Sequence, residues 1–174
     1  MVTVAISGLH GAGKTTAAEA LAEKLDLRYL SAGMVFREMA DEREMDLKEF
    51  SDYVEKNPEI DRELDERTAE ESKKDDVLID ARLAGWMADE ADLKILMIAP
   101  LDERVKRIAK REDRPYDEVM EETVSREDSE KKRFKELYDI DVDDYSVFDL
   151  VLNTGKFDKE ETLEILQLAV ESVS

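Results

Sequence analysis

The sequence predicts a three-layer α/β domain in which a parallel sheet of about five strands lies between helices. Three features carry this expectation. A glycine-rich stretch, GLHGAGKT at residues 8–15, stands between an apolar run and a helical pattern. Further short apolar runs alternate with stretches of helical spacing, the order of a doubly wound sheet. The 174 residues show no internal repeat and no low-complexity linker, so they read as one domain long enough to bury a core.

At the N-terminus Val2, Val4 and Ile6 alternate over residues 2–7 and read as a buried strand. A helix follows from about Lys14 to Leu25, with Ala18, Leu21, Ala22 and Leu25 as its apolar stripe. Residues 32–73 are charged, helix-favouring and broken at Pro58; they read as three short helices inserted between the first and second core strands. DVLID (76–80) and DLKILMIAP (92–100) are short apolar runs bounded by charge and proline, which suits strands covered on both faces. Helices at 102–112 and 115–137, a strand at 148–154 and a closing helix at 159–173 complete the order. Trp86 is assigned to packing. The acidic run 139–144 is assigned to a solvated turn, because it lacks the glycine and terminal glutamate of a calcium loop.

Six glycines serve the whole chain, and three of them fall within residues 8–13. Glycine, four residues, then Gly-Lys-Thr is the pattern of a phosphate-binding loop, whose successive backbone N–H groups face one concavity. Behind a strand and before a helix, it predicts the P-loop NTPase version of the fold. The candidate nucleotide-binding residues are Gly8, Leu9, His10, Gly11, Ala12, Gly13, Lys14, Thr15 and Thr16. The N–H groups of residues 11–15 are expected to wrap the β-phosphate of a nucleoside triphosphate at the positive end of the helix. Lys14 then bridges the β- and γ-phosphates, and the Thr15 hydroxyl ligates Mg²⁺. His10, the single histidine, reads as a spacer, since phosphoryl transfer needs positioning and charge more than a base.

A second substrate has its own candidates. Ser31 and Gly33 permit close backbone approach, and Arg37 offers a fork of donors to a monoester phosphate. Asp80 and Arg82 end a buried strand, where open α/β sheets bind ligands. Asp80 is assigned to a Mg²⁺-bound water and Arg82 to the acceptor phosphate. Arg107 and Arg111 are four apart, and Arg126, Glu130 and Arg133 follow spacings of four and three, so each set shares a helix face. Joined by a turn at Pro115, the two rows are expected to form a lid over the triphosphate. Lys14, Arg107, Arg111, Arg126 and Arg133 are the candidate catalytic charges, with Glu130 orienting the arginines or touching the acceptor.

The formal net charge is -20, from 46 acidic against 26 basic residues. A field of that sign repels nucleic acid and anionic membrane, so neither is expected as a partner. Residues 104–135 depart from it: eleven Lys/Arg against nine Asp/Glu make this stretch +2, whereas the remaining 15 basic and 37 acidic residues make -22. The chain has no cysteine, no basic leader and no apolar run of membrane length. A cytoplasmic monomer is the resulting expectation. The acidic excess reads as a solvation device suited to a salt-rich cytoplasm.

With these residues in place, a family resemblance can be stated. SGLHGAGKTT (7–16), SAGMVFREMA (31–40), PEIDRELDERT (58–68), RLAGW (82–86), SREDSEKKRF (125–134) and DLVLNT (149–154) together closely resemble the archaeal type of cytidylate kinase over essentially the whole chain. The resemblance implies a nucleoside monophosphate kinase that moves the γ-phosphate of ATP to CMP or dCMP with Mg²⁺. It also implies a core at 1–30, 74–106 and 138–174, a monophosphate-binding region at 31–73 and a lid at 107–137. Arg126, Glu130 and Arg133 keep the spacing of the wider family's lid helix, with glutamate where that family has aspartate. The nearest alternative is a kinase for AMP, UMP or a small acceptor such as shikimate. Gly-Lys-Thr-Thr and Ala-Arg-Leu-Ala stand here where adenylate kinases carry Gly-Lys-Gly-Thr and Gly-Phe-Pro-Arg. A GTP-binding switch fits less well, because NTGKFD (153–158) has the wrong order for a guanine reader. An acidic interaction surface with a vestigial loop leaves the clustered arginines unexplained.

Overall fold

The structure, a computed structural model, describes residues 2–74 and 76–174. β1 (Thr3–Gly8) is buried along its whole length, because both of its edges are paired. β3 (Val77–Asp80) lies on one side and β4 (Leu93–Ile98) on the other, with β2 (Arg28–Ser31) and β5 (Leu150–Asn153) outside them. All pairings are parallel and the order is β2-β3-β1-β4-β5. The chain builds one side of the sheet from β1 before it crosses to the other. The order therefore reverses at the carboxyl end of β1, the point at which such sheets open a ligand crevice. Register places Ile6 opposite Asp80 and Gly8 opposite Met97 at that end.

The two-residue period of the strands sorts the core into layers. Val4 and Ile6 pack toward α1 (Lys14–Leu25) and α8 (Lys159–Glu171), against Ala18, Leu21, Leu166 and Val170. Ala5 turns to the opposite face, where α2 (Ala32–Glu42), α3 (Leu47–Lys56) and α4 (Glu59–Glu71) bring Val35, Met39, Phe50 and Ile60. Burying a side chain such as Phe50 contributes about 1.5–3 kcal/mol, which anchors these three helices to the sheet. A single turn, α5 (Ala84–Met87), follows β3, and α6 (Leu101–Glu112) and α7 (Tyr116–Tyr138) form a hairpin around Val105, Ile108 and Val119. Trp86 packs edge-on against Phe148 with ring centroids 4.8 Å apart, in agreement with a packing role.

Two readings of the chain are corrected. The fifth strand is β2, so the helical insertion lies between the second and third strands in sequence, not the first and second. Its four residues carry an exposed arginine and only one buried side chain, Leu30, so no period-2 signal marks them. They become a strand because β3 offers a free parallel edge. The lid boundary at residue 107 falls inside the continuous helix α6; the hairpin begins at Leu101.

Candidate nucleotide-binding cleft

The loop after β1 closes on itself. Leu9 N–H donates to the Met97 carbonyl at 3.3 Å, and Ala12 N–H donates to the Leu9 carbonyl at 3.1 Å. The Ala12 donor is thus spent inside the turn, which leaves the cradle to its neighbours. Gly11 has φ +82°, and a Cβ there would stand 2.6 Å from the Arg104 carbonyl oxygen. No other residue fits that position. Gly13, at φ 86°, begins α1 with no side-chain cap and no acidic residue in the first turn. α3, α4, α6, α7 and α8 all carry acids there. The two long helices that lack them, α1 and α2, are those whose first turns line the cleft. Their unsatisfied N–H groups and positive ends are left for anions.

Three side chains brace the loop from behind. Thr154 Oγ1 donates to the Ala12 carbonyl at 2.7 Å. Arg107 donates to the carbonyls of Gly11 and Thr154, at 3.3 and 2.8 Å. Arg104, only 4 % exposed, donates to the carbonyls of Ala99 and His10, at 2.9 and 3.0 Å, and pairs with Glu127 of α7. Arg107 is therefore corrected from a lid arginine to a strut: its guanidinium meets backbone, and it is absent from the cleft lining.

A cleft of about 850 Å³ opens in front of the loop. At its floor Lys14 pairs with Asp80 Oδ1, and the Tyr29 hydroxyl donates to Asp80 Oδ2 at 2.8 Å. Burial first, and then the Asp80 charge, push the Tyr29 hydroxyl well above its usual range, so it stays a donor. Tyr29 was not among the expected site residues. It lies on the unmarked strand β2, and parallel pairing of that strand with β3 brings it beside Asp80.

On the acceptor side, Ser31 caps α2, its Oγ accepting from Met34 N–H at 3.1 Å. Gly33 leaves space, since a Cβ there would lie 3.8 Å from Ser31 Oγ and 3.9 Å from Arg37 Nη1. Arg37 lines the cleft and makes no hydrogen bond or ion pair among the described residues. Arg82 Nε is buried without a hydrogen-bond partner, 3.5 Å from Glu130 Oε2. A buried unsatisfied donor and a free guanidinium on one wall suit an incoming anion.

Glu130 gathers the opposite wall. His10 Nε2 lies 2.9 and 3.0 Å from its two oxygens, and Arg126 Nε lies 3.4 Å away. Burial pushes the Glu130 carboxyl up, but His10, Arg126 and Arg82 outweigh it and hold the group below the usual carboxylate range. The expectation for His10 is corrected here, because the ring ties the phosphate loop to α7. Arg111 and Arg126 line the cleft, joined by Arg114, whereas Arg133 turns into a neighbouring recess and stacks 5.3 Å from the Phe134 ring centre. The two predicted arginine rows therefore supply two cleft residues, not four. Thr15 and Asp80 offer oxygen donors suited to Mg²⁺, and no cluster of three or more acidic, cysteine or histidine ligands occurs among the described residues. That set fits an ion held largely by phosphates and water.

The family profile described as "Cytidylate kinase-like family" matches residues 3–156. The chain belongs to that family. This cytidylate kinase-like chain is 46% identical over 174 residues to the cytidylate kinase of Methanocaldococcus jannaschii, covering 98% of each. It is 48% identical over 172 residues to that of Staphylothermus marinus, covering 98% of this chain and 97% of the relative. The cytidylate kinase of Halorubrum lacusprofundi is 43% identical over 171 residues, covering 97% and 89%. Among solved structures, the shikimate kinase of Bacteroides thetaiotaomicron superposes with a TM-score of 0.65 at 18% identity, covering 98% of each chain. That likeness shows the shared P-loop kinase fold. No helix among the described residues is long and apolar enough to cross a membrane.

Proposed function

We propose that the chain transfers the γ-phosphoryl group of ATP to CMP or dCMP, giving ADP and CDP or dCDP. One observation carries this reading beyond family membership. Two anion sites open onto one cleft that Lys14 also lines: the glycine loop with α1, and, beside the start of α2, Arg37, which has no partner among the described residues, with Arg82, whose buried Nε has no hydrogen bond. A single-phosphate ligand facing a polyphosphate is what that arrangement accommodates.

Catalysis then rests on position and charge. The loop holds the β-phosphate, and Arg37 with Arg82 aims an acceptor phosphate oxygen at the γ-phosphorus. Lys14 leaves Asp80 for the phosphates and follows the transferred group. Arg111 and Arg126 neutralise charge as the hairpin α6–α7 closes. Thr15 and Asp80 would hold Mg²⁺, which would supply positive charge beside the transferring phosphates. We assign the protein to the cytoplasm and to a monomeric state on the same reading. A coupled ADP-release assay over all nucleoside monophosphates and shikimate tests it. CMP and dCMP should give the highest kcat/KM; turnover confined to AMP, UMP or shikimate would overturn it.

A further inference from the structure

Beside the main cleft lies a recess of about 140 Å³ between α4 and α7, and Ala32, Ala81, Arg82 and Glu130 line both spaces. A ligand whose phosphate is held by Arg37 and Arg82 therefore has this recess beside it. Leu64, Leu83 and Phe134 give the recess apolar lining. The Asp65 carboxylate lines it as well. Tyr138 Oη donates to Asp65 Oδ2 at 2.5 Å, which fixes the carboxylate on α4 against the end of α7. Asp65 Oδ1 accepts from no donor among the described residues. Asp61 lines the same recess one turn earlier and adds negative charge, while Arg133 and Arg82 bring positive charge to its lining.

An anchored carboxylate with one oxygen free of partners among the described residues, lining a recess of about 140 Å³, suits a ring that carries an N–H donor. Cytosine presents a 4-amino group there, and uracil presents a carbonyl oxygen. We propose that Asp65, held by Tyr138, accepts a hydrogen bond from the 4-amino group of the acceptor's cytosine and thereby distinguishes CMP from UMP. The inference rests on the proposed CMP kinase activity and adds the residue that reads the base. Neither the phosphate loop nor the arginines can make this distinction, because both ligands carry the same phosphate and sugar.

The test is initial-rate kinetics with CMP, UMP and the 4-deamino analogue of CMP. Asp65→Asn keeps an oxygen for the Tyr138 hydroxyl and replaces the vacant acceptor with an N–H donor. The kcat/KM ratio of CMP to UMP should fall about 10- to 100-fold, the scale of one base-reading contact, with KM for ATP unchanged within twofold. A carboxylate that merely ties α4 to α7 would lower both pyrimidines equally; a ratio within threefold of wild type overturns the proposal. Wild-type protein alone gives a second measurement, independent of whether the variant folds. The 4-deamino analogue should lose at least 10-fold in kcat/KM against CMP, and equal use of the two would also overturn the assignment. Wild type that fails to turn over CMP at all would instead reject the underlying kinase reading.

Discussion

Lys14 and Arg37 differ in what each gives up to meet a ligand. Lys14 already has a partner in Asp80, itself only 2 % exposed, so its charge is positioned before any nucleotide arrives. Lys14→Met should lower turnover by about 10²- to 10³-fold, the scale on which one preorganised donor acts, while circular dichroism stays native. Turnover within threefold of wild type would remove Lys14 from the chemistry. Arg37 has no partner to lose. Arg37→Ala should therefore leave stability within about 0.5 kcal/mol and raise KM for CMP at least tenfold more than KM for ATP. Equal losses for both substrates would move Arg37 out of the acceptor site. Lys14 is legible in sequence because the loop motif fixes its neighbours. Tyr29 is not, since its relevance depends on strand pairing 51 residues away in the chain.

At the level of elements, the hairpin α6–α7 is tied to the phosphate loop by Arg104 and by the contact of His10 with Glu130. Both contacts join segments distant in sequence. Helical spacing places Arg104 in a basic row but does not say that it points inward to two carbonyls and Glu127. Arg104→Met removes the cation and leaves those acceptors behind. Breaking a buried pair costs about 3–5 kcal/mol, and the partial exposure of Glu127 places the expected loss at the lower end. Urea unfolding measures it, and KM for ATP should rise because the loop loses its brace. A stability loss below about 1 kcal/mol would show that water replaces the guanidinium. The first helix was readable from its apolar stripe; the structure adds capping boxes of Asp46 with Glu49 and Asp158 with Glu161 at the starts of α3 and α8. β2 was not, for it is a strand only in the company of β3.

The whole molecule carries a net charge of -20, and fewer than half of its 46 carboxylates take part in the ion pairs described. Unpaired exposed carboxylates repel one another, and salt shortens the reach of that repulsion from about 8 Å at 0.15 M to about 3 Å at 1 M. Short contacts inside the cleft are screened much less. The melting temperature should rise between about 0.05 and 1 M KCl, with activity maintained; a flat or falling series would show that the carboxylates are already far enough apart. Acid acts in the opposite direction. Glu130 sits below its ordinary 4.5, and Glu42, Glu71 and Glu112 are lowered as well by their cationic partners. A depressed carboxyl contributes stability that is present above the unfolded value and lost as pH falls through the folded one. Asp65, raised chiefly by burial, contributes with the opposite sign over the range upward from 3.8. The melting temperature should decline as pH falls below about 4.5, and Glu130→Gln should flatten part of that decline. An unchanged slope in that variant would show that Glu130 is not stabilised by His10, Arg82 and Arg126.

By itself the sequence determined the alternation of strands and helices, the phosphate loop and the kinase family, because each depends on neighbours within a few residues whose spacing meets a local physical requirement. Tertiary structure alone decided which arginines reach ligand. Arg107 and Arg111 share one helix with regular spacing, yet the first is consumed by backbone carbonyls of the loop and of Thr154, just after β5, while the second lines the cleft. Helical period fixes a direction around an axis; what lies in that direction depends on how the helix is seated on the sheet. The same holds for Glu130, which becomes the meeting point of His10, Arg82 and Arg126 only when three separate segments converge.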